Sequence, residues 1–590
     1  MGWPLRRLSG AFRSDAPFSA AAGTATASLT LSERATLAKL SANRARRAVV
    51  ARALRSAALR WWLAPPVADE LLIVPPDLRT PDPSFLTELA AGQLGLGGSV
   101  ASLHGRSPFL LPAPSPAWAR ELHGFGWLRH LRCGPDGEAR AIARRLAGDW
   151  LTLKRQRAGI PFEPQVVARR IISWLGHADL LLEDSDPRFY AAAADCLGGE
   201  VQFLAGIWGN AHAGYPRLVC LAGLLFAALC VAGQDRRLER TERLFVDELG
   251  RQILADGGHV SRNPGVPVQL LLDFLPLRQC YAARELPAPD AFHEAMDRMI
   301  SFLEYMRRGD GALARFNGMS RTEADALATV LGYVDSTAVP LAQAPVSRYE
   351  RLERGQTVVI VDVGPPPPLE LAAEAQAGCL SFEMSVGPHA LLVNGGAPGP
   401  AHERHRALAR ATASHNTLCL SNTSSSRLVR ARLLEQVTGS PPLRLPQSVD
   451  SELTEDDGTL VLECRHDGYL EQFGLLHTRR LSLSSDGLRF EGVDMLGPES
   501  GVLRLKRDVP FAIHFHLPCE VVCRSTGSAG TAEIEAGADC RWRFVAAGAR
   551  LSIEQGQDFA HFSGPQRSMQ IVLRGACPGE SIVSWRLEKI

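Results

Sequence analysis

His259 follows two glycines and precedes Arg262 and Asn263 in the run Asp256-Gly257-Gly258-His259-Val260-Ser261-Arg262-Asn263-Pro264. An imidazole can move protons near neutral pH, and a guanidinium can clamp a carboxylate with two parallel hydrogen bonds. A glycine-rich joint between helices brings such groups to one end of a bundle. The same residues would also serve as plain helix caps, and both readings stay open. His466 and Tyr469, at a strand end, offer a second pair that could line a cleft, with Tyr469 as a candidate proton donor. A Tyr or His on a strand also packs as ordinary core. Glu374 becomes a base if burial raises its pKa, and is otherwise a solvated loop carboxylate. His415 by itself reads as a hydrogen-bonded, half-buried histidine. Gly309-Asp310-Gly311 with Phe316-Asn317-Gly318 reads as turn chemistry. No P-loop, dinucleotide glycine pattern or G-x-S-x-G elbow is present, so nucleotide and serine-hydrolase chemistry lack support. No distinctive carboxylate pair favours a glycoside hydrolase.

The elements that must hold these residues change character along the chain. Apolar residues recur at three and four spacing over 139–153, 166–182, 201–208, 218–231, 238–254 and 289–306, with short Gly, Pro and Asp-rich joints between them. Antiparallel helices with such joints make a bundle, a solenoid or a closed (α/α) toroid. From about Val346 the period shortens. Thr357–Val363, Leu380–Val386, Asn416–Leu420, Thr459–Cys464, Leu476–Leu483, Leu488–Val493, Phe511–Leu517 and Ser568–Leu573 read as strands punctuated by turns. The expected fold class is therefore helices first, then an antiparallel β-sandwich or stacked sheets. The expected divisions are a basic segment over 1–70, a helical domain over 71–345 and a sheet domain over 346–590.

At 590 residues the chain is too long for one compact core. Its 64 basic and 63 acidic residues nearly cancel, which gives no reason to expect nucleic acid as partner. Only four of the basic residues are lysine, and arginine suits carboxylate and sulfate ligands. The 12 cysteines form no CxxC pair and read as small buried apolar residues. The uncharged run Leu218–Gly233 is too short for a bilayer span and reads as a core helix. Arg44–Leu63 carries six arginines and no acid. It reads either as a helix with a solvated basic face or as a peripheral contact with an anionic membrane.

The order of several stretches resembles the heparinase II/III-like family of polysaccharide lyases. They are Val167-Ala168-Arg169-Arg170 with Ser173-Trp174-Leu175, Gly209-Asn210-Ala211-His212, the Asp256–Pro264 run, Leu380-Ser381-Phe382-Glu383, Ser414-His415-Asn416-Thr417-Leu418, and His466-Asp467-Gly468-Tyr469 with His477-Thr478-Arg479. The resemblance implies an (α/α) toroid followed by antiparallel sheets. It also implies β-elimination on an acidic, uronate-bearing polysaccharide. That reaction removes a proton beside a carboxylate, so it needs a group that neutralises the carboxylate, a base, and an acid for the leaving oxygen.

Carried over residue by residue, the resemblance places Asn210 and His212 at the neutralising position. The family tyrosine falls on Val266, which cannot transfer a proton. The family catalytic histidine becomes Glu374. The family zinc ligands become Gln376, Asn394 and His415, a degenerate set that makes zinc unexpected, since amide oxygens bind it weakly. Catalysis is thus expected of Asn210, His212, His259, Glu374 and His415, and substrate binding of Arg262, Asn263, His466 and Tyr469. The alternative is a glycan-binding or exopolysaccharide-assembly protein that keeps the fold without the chemistry. The resemblance points to the cell envelope or periplasm. No signal-peptide pattern is seen, which leaves the cytoplasm or the inner face of the membrane open.

Overall fold

The computed structural model describes residues 31–54, 70–153, 159–333, 340–372, 374–428, 442–501, 505 and 507–590. Helices fill the first part. The main ones are Asp136–Thr152, Pro164–Gly176, Pro187–Ile207, Tyr215–Cys230, Asp235–Gln252, Gly265–Ala283 and Asp290–Tyr305. Local chemistry starts several of them. Asp186 accepts from the Arg188 and Phe189 amides ahead of Pro187, and Ser115 accepts from the Trp118 amide ahead of Pro116–Gly124. The apolar run lies in Tyr215–Cys230, where every residue from Leu218 to Cys230 is buried. Helices on several sides pack against it, so it sits at the centre of the helical core.

Two elements differ from the sequence expectation. The helix Gly265–Ala283 has apolar residues on every side, broken by Gln269 and Asp273, and carries Pro276 inside it, so it offers no amphipathic stripe to read. A short hairpin, Gln93–Leu96 with Ser99–Ser102, turns through Gly97 and Gly98, both at positive φ. The joint at Asp256-Gly257-Gly258 also requires glycine. Gly257 has φ 85°, and a Cβ there would lie 1.9 Å from the Arg298 carbonyl oxygen.

Among the described residues, the β part stacks three larger antiparallel sheets beside a two-stranded one, Arg427–Leu428 with Pro442–Arg444. One pairs Tyr349–Arg354, Thr357–Asp362, Phe382–Val386 and His389–Leu392 in chain order. A second has eight strands, running from Val449–Asp456 at one edge to Val522–Ser525 at the other. The third has four, with Val509–His516 between Leu418–Leu420 and Gln566–Cys577. They meet on aromatic rings. Trp585 stacks on Phe382 at 5.7 Å and meets Phe515 edge-on at 4.9 Å.

The strand Thr357–Asp362 explains how the two parts join. All six residues are buried. Val358 and Ile360 pack into the helical core, while Val359 and Val361 pack into the sheet core. A strand covered on both faces loses polar alternation, which is why its sequence is a continuous apolar run. Ion pairs cross the same seam: Arg262 to Asp362 at 2.6 Å, Arg308 to Glu383 at 2.6 Å and Arg315 to Asp558 at 3.0 Å.

The helix Leu31–Leu54 touches the helix Pro187–Ile207, the turn Trp208–Asn210 and the strand Pro442–Arg444. Its Glu33 pairs with Arg427 at 2.9 Å. The basic segment Arg44–Leu63 runs off the end of this helix, and residues 55–63 lie outside the described residues. Among the described residues, no helix is long and apolar enough to cross a membrane.

Candidate functional site

Two cavities adjoin. One of about 310 Å³ lies inside the helical part, and one of about 210 Å³ lies beside it. Tyr215 and Gln269 belong to the walls of both, so together they form a trough. The helices Pro164–Gly176, Tyr215–Cys230 and Gly265–Ala283 hold its walls.

Three charged residues organise the larger cavity. Arg169 donates from Nη1 and Nη2 to the two Asp273 carboxylate oxygens at 2.6 and 2.8 Å, and from Nη2 to the Tyr215 hydroxyl at 2.9 Å. Arg79 donates to Asp273 as well, at 2.9 Å. Burial works against the Asp273 charge, but the two guanidinium groups hold its pKa down to about 2. These residues carried no role in the sequence reading. A signal was present: Asp273 is a lone charge inside the apolar run Leu270–Leu275, and Arg169 with Arg170 interrupts the apolar run Val166–Ile172, and such charges survive burial only when paired.

The smaller cavity is lined by Asn263, Val266, Met319, Ser320, Arg321, Thr322 and Glu323, among others. At its rim the exposed Arg321 guanidinium sits 5.9 Å from the Phe562 ring, which is 73% exposed. An open aromatic face beside a cation suits the apolar face of a sugar and an acid group on it. Neither residue stood out in the sequence.

Of the residues expected to act, Asn263 lines the trough, and its side chain caps the Gly265 amide at 2.9 Å. Asn210 is half-buried in the turn Trp208–Asn210 and His212 is exposed just beyond it, and neither is part of the two cavity walls. Glu374 packs against Gly318, and its carboxylate pairs with Arg406 at 2.5 Å. Its side chain is more than half exposed, so burial does not make it the base expected of it.

The remaining candidates sit in the interior. His259 is 1% exposed, with Nε2 on the Gln252 amide oxygen at 2.9 Å and Nδ1 on the Ser261 hydroxyl at 2.7 Å. Burial lowers its pKa to about 3. Both nitrogens are engaged in holding the joint, so the geometry gives it an architectural place instead of a proton-transfer one. Arg262 donates to the Ser347, Pro365 and Arg348 carbonyls and to Asp362, and its guanidinium lies 4.7 Å from the Tyr349 ring. Few of its donors remain for a substrate carboxylate, so the clamp expected of it is turned inward. His466 accepts from the Gly468 amide and contacts His477 at 3.3 Å, while Tyr469 donates to the Leu418 carbonyl at 2.9 Å. Both are about 1% exposed, and neither belongs to the walls of the two cavities.

His415 is buried too, with Nδ1 on the Ala411 carbonyl at 2.9 Å and Nε2 without a partner. Burial lowers its pKa to about 4. Its ring lies against Gly378, and its neighbours Ser414 and Asn416 hydrogen-bond with Gly395 and Asn394. Gln376 has neither amide atom bonded, and Asn394 has Nδ2 unbonded while its Oδ1 accepts from Asn416. One imidazole nitrogen and two amides, one of them committed, do not fit zinc. Among the described residues, no group of three or more His, Cys, Asp or Glu could hold a metal. Asn210 lies in a turn of the helical part and His415 within the β part, and among the described residues no hydrogen bond joins them.

Comparison with known proteins agrees with this architecture. Residues 337–586 match the heparinase II/III-like C-terminal family. FtsZ-localized protein C of Caulobacter vibrioides is 28% identical over 540 residues, covering 89% of this chain and 92% of that protein. The heparan sulfate lyase HepC of Pedobacter heparinus, in a mutant form, superposes with a TM-score of 0.58 at 16% identity, over 94% of this chain and 88% of that one. A heparinase III crystal structure superposes with a TM-score of 0.63 at 13% identity, over 84% of this chain and 80% of that one. At such identities the superpositions speak for the fold, a helical toroid followed by antiparallel sheets. The chain thus carries a heparinase II/III-like C-terminal domain over residues 337–586, on a fold that it shares with heparinase III and HepC.

Proposed function

We propose that this protein binds an acidic, uronate-bearing polysaccharide along the trough, as a binding protein on a lyase fold. The observation that carries this reading is the separation of two sets of residues. The trough is lined with arginine, an amide and a phenol, suited to holding a carboxylated sugar. The histidines that elimination would need, His259 and His415, are buried and engaged elsewhere. Val266 stands in the trough wall where the resemblance implies a tyrosine. The similarity to a protein named for its localisation by FtsZ supports a binding role, since that name describes a place in the cell.

A second reading keeps the lyase. Tyr215 is a phenol on both cavity walls, and the Arg169 guanidinium donates to its oxygen at 2.9 Å. It is one group in the trough able to carry the proton that elimination removes, beside His130 and His177 on the same wall. One experiment separates the two readings. Purified protein is incubated with a panel of acidic glycans, following both retention on the glycan and the ultraviolet absorbance of an unsaturated uronate product. Retention without product supports the first reading. Product that disappears in Tyr215→Phe establishes the second and removes the first. Neither retention nor product on any acidic glycan would remove both.

A further inference from the structure

A short stretch of the β part runs from the wall of one cavity to the wall of the other. It begins at Ala397, whose amide donates to the Met319 carbonyl at 2.9 Å and whose carbonyl accepts from the Ser320 hydroxyl at 2.7 Å. Met319 and Ser320 line the smaller cavity. Further on, Ala401 lies against Gly98, at the tip of the hairpin that pairs Gln93–Leu96 with Ser99–Ser102. Leu96 on that hairpin lines the larger cavity, and so does Glu121, which accepts from the Gly97 amide at 2.7 Å. The steps from Ala397 to Ala401 reach at most about 14 Å, so the stretch crosses a narrow gap between the two walls.

The banks are fixed, and the crossing is loosely held. Leu94, Leu96 and Ala101 anchor the hairpin in the helical core. The Trp118 indole donates to the Leu94 carbonyl at 3.0 Å, and the Ser99 and Ser115 hydroxyls meet at 3.1 Å. Beyond the crossing, Arg406 pairs with Glu374 at 2.5 Å, and the His405 ring lies 6.4 Å from that of Phe559. Between these anchors, none of residues 398–405 is buried. Among the described residues, no hydrogen bond or ion pair joins 398–405 to the hairpin. The stretch is seated instead on two glycines. Ala401 rests on Gly98, where an added Cβ would lie 2.9 Å from its own, and His402 rests on Gly564, where an added Cβ would lie 2.3 Å from its Nε2. Both glycines have positive φ, 71° and 91°. Packing contacts of this size part easily, and a segment with few buried contacts opens at low free energy. Pro398 and Pro400 stiffen the stretch, while Gly399, with open space where a Cβ would stand, gives it a pivot.

We infer that Pro398–His405 is a lid on the trough, shut in this structure, which lifts from Gly98 and Gly564 while Ala397 and Arg406 stay in place. Lifted, it opens the trough along its side, so that a polymer enters without threading an end. Shut, it keeps the chain beneath it. The inference rests on the glycan reading for the guest and adds the way in. Passage onward into the larger cavity, between Tyr215 and Gln269, is a separate step.

The test locks the lid in the whole protein, in a Cys133→Ser background that removes an exposed thiol. Gly98→Cys with Ala401→Cys sets two thiols across the contact. A disulfide needs its Cβ atoms about 3.5–4.5 Å apart, so the seat has to give by about 1 Å. The same double variant is compared oxidised and reduced, which cancels any effect of the substitutions themselves. Hydrogen exchange, read by mass spectrometry without glycan, should be at least tenfold slower over 399–405 in the oxidised form and unchanged in the strand Phe382–Val386. Polyglucuronate should associate at least tenfold more slowly with the oxidised form than with the reduced one. Equal exchange in the two forms would overturn the lid. Slower exchange with equal polyglucuronate association would overturn its place over the trough. Failure of polyglucuronate to bind the unaltered protein would remove the glycan reading, and the exchange rates alone would then decide whether the lid lifts.

Discussion

Arg262 and Asp362 meet at 2.6 Å where the Asp256–Pro264 joint touches the strand that faces both cores. Arg262 is 7% exposed and adopts φ 58°, a left-handed conformation that L-residues seldom take. Its contacts with three carbonyls, one carboxylate and the Tyr349 ring hold it there. Tyr349 in turn donates to the Arg262 carbonyl. The sequence offered Arg262 as a clamp for substrate, and the fold uses the same fork to clamp itself.

Removing one member of this pair leaves the other charged and buried. Asp362→Ala should therefore lower stability by about 3–5 kcal/mol, read as a fall in the urea midpoint. Arg262→Lys should also destabilise, because an ammonium cannot reach all four acceptors at once. A midpoint unchanged in Asp362→Ala would show that the seam is held by other contacts.

Acid should loosen the fold in a defined window. The pKa of His415 falls to about 4, and those of His259 and His516 to about 3, in each case chiefly through burial. A histidine with a lowered folded pKa is neutral in the native state, and the unfolded chain binds the extra proton. Stability is then full above the unfolded value of about 6.5 and declines as pH drops toward the folded values. Across that span the upper bound is on the order of 3 kcal/mol for His415 and about 5 kcal/mol each for His259 and His516. Thermal scans between pH 7 and pH 4 should show a falling midpoint, with a smaller slope in His415→Gln. A flat profile would contradict the burial of these rings.

Zinc offers a gain-of-function check on the donor argument. Gln376 and Asn394 are the amides that the resemblance puts at zinc positions together with His415, and both Gln376 amide atoms and Asn394 Nδ2 are buried without a partner. The double variant Gln376→His, Asn394→Asp replaces them with an imidazole and a carboxylate, both good zinc donors. It should hold zinc in near-equal amount by metal analysis after dialysis, whereas the parent should not. Equal zinc in parent and variant would refute the donor argument.

The rim of the trough should matter to polymer binding. Arg321→Ala and Phe562→Ala each remove one side of the exposed cation and ring pair. Each should weaken retention on an acidic polysaccharide roughly five- to tenfold, equivalent to about 1 kcal/mol. The Arg321 effect should shrink with added salt, and the Phe562 effect should persist. No change in either variant would place the glycan elsewhere.

The fold class could be read because its signals are local. Helical spacing with Gly and Pro joints marked most of the first part, and short apolar runs with turns marked the second. The helix Gly265–Ala283 escaped because burial on all sides erases the stripe and its two prolines suggest a break. The candidate site could be read less well. Polar side chains at joints look alike whether they face a trough or a neighbouring backbone. His259 and Arg262 differ from Asn263 only in direction, and direction is set by packing from residues far away in the chain, such as Ser347 and Asp362. The working charges, Arg169 and Asp273, are 104 residues apart, and their pairing belongs to the tertiary structure alone.

Three ion pairs stitch the seam at separate points, through Arg262, Arg308 and Arg315. Fasteners spread in this way leave no hinge about which ring and sheets could swing as jaws. A guest must enter by small movements at the narrow neck, where Tyr215 and Gln269 stand as doorposts. On the proposed reading, a glycan would be admitted by side-chain movement at that neck, with the three ion pairs holding ring and sheets together.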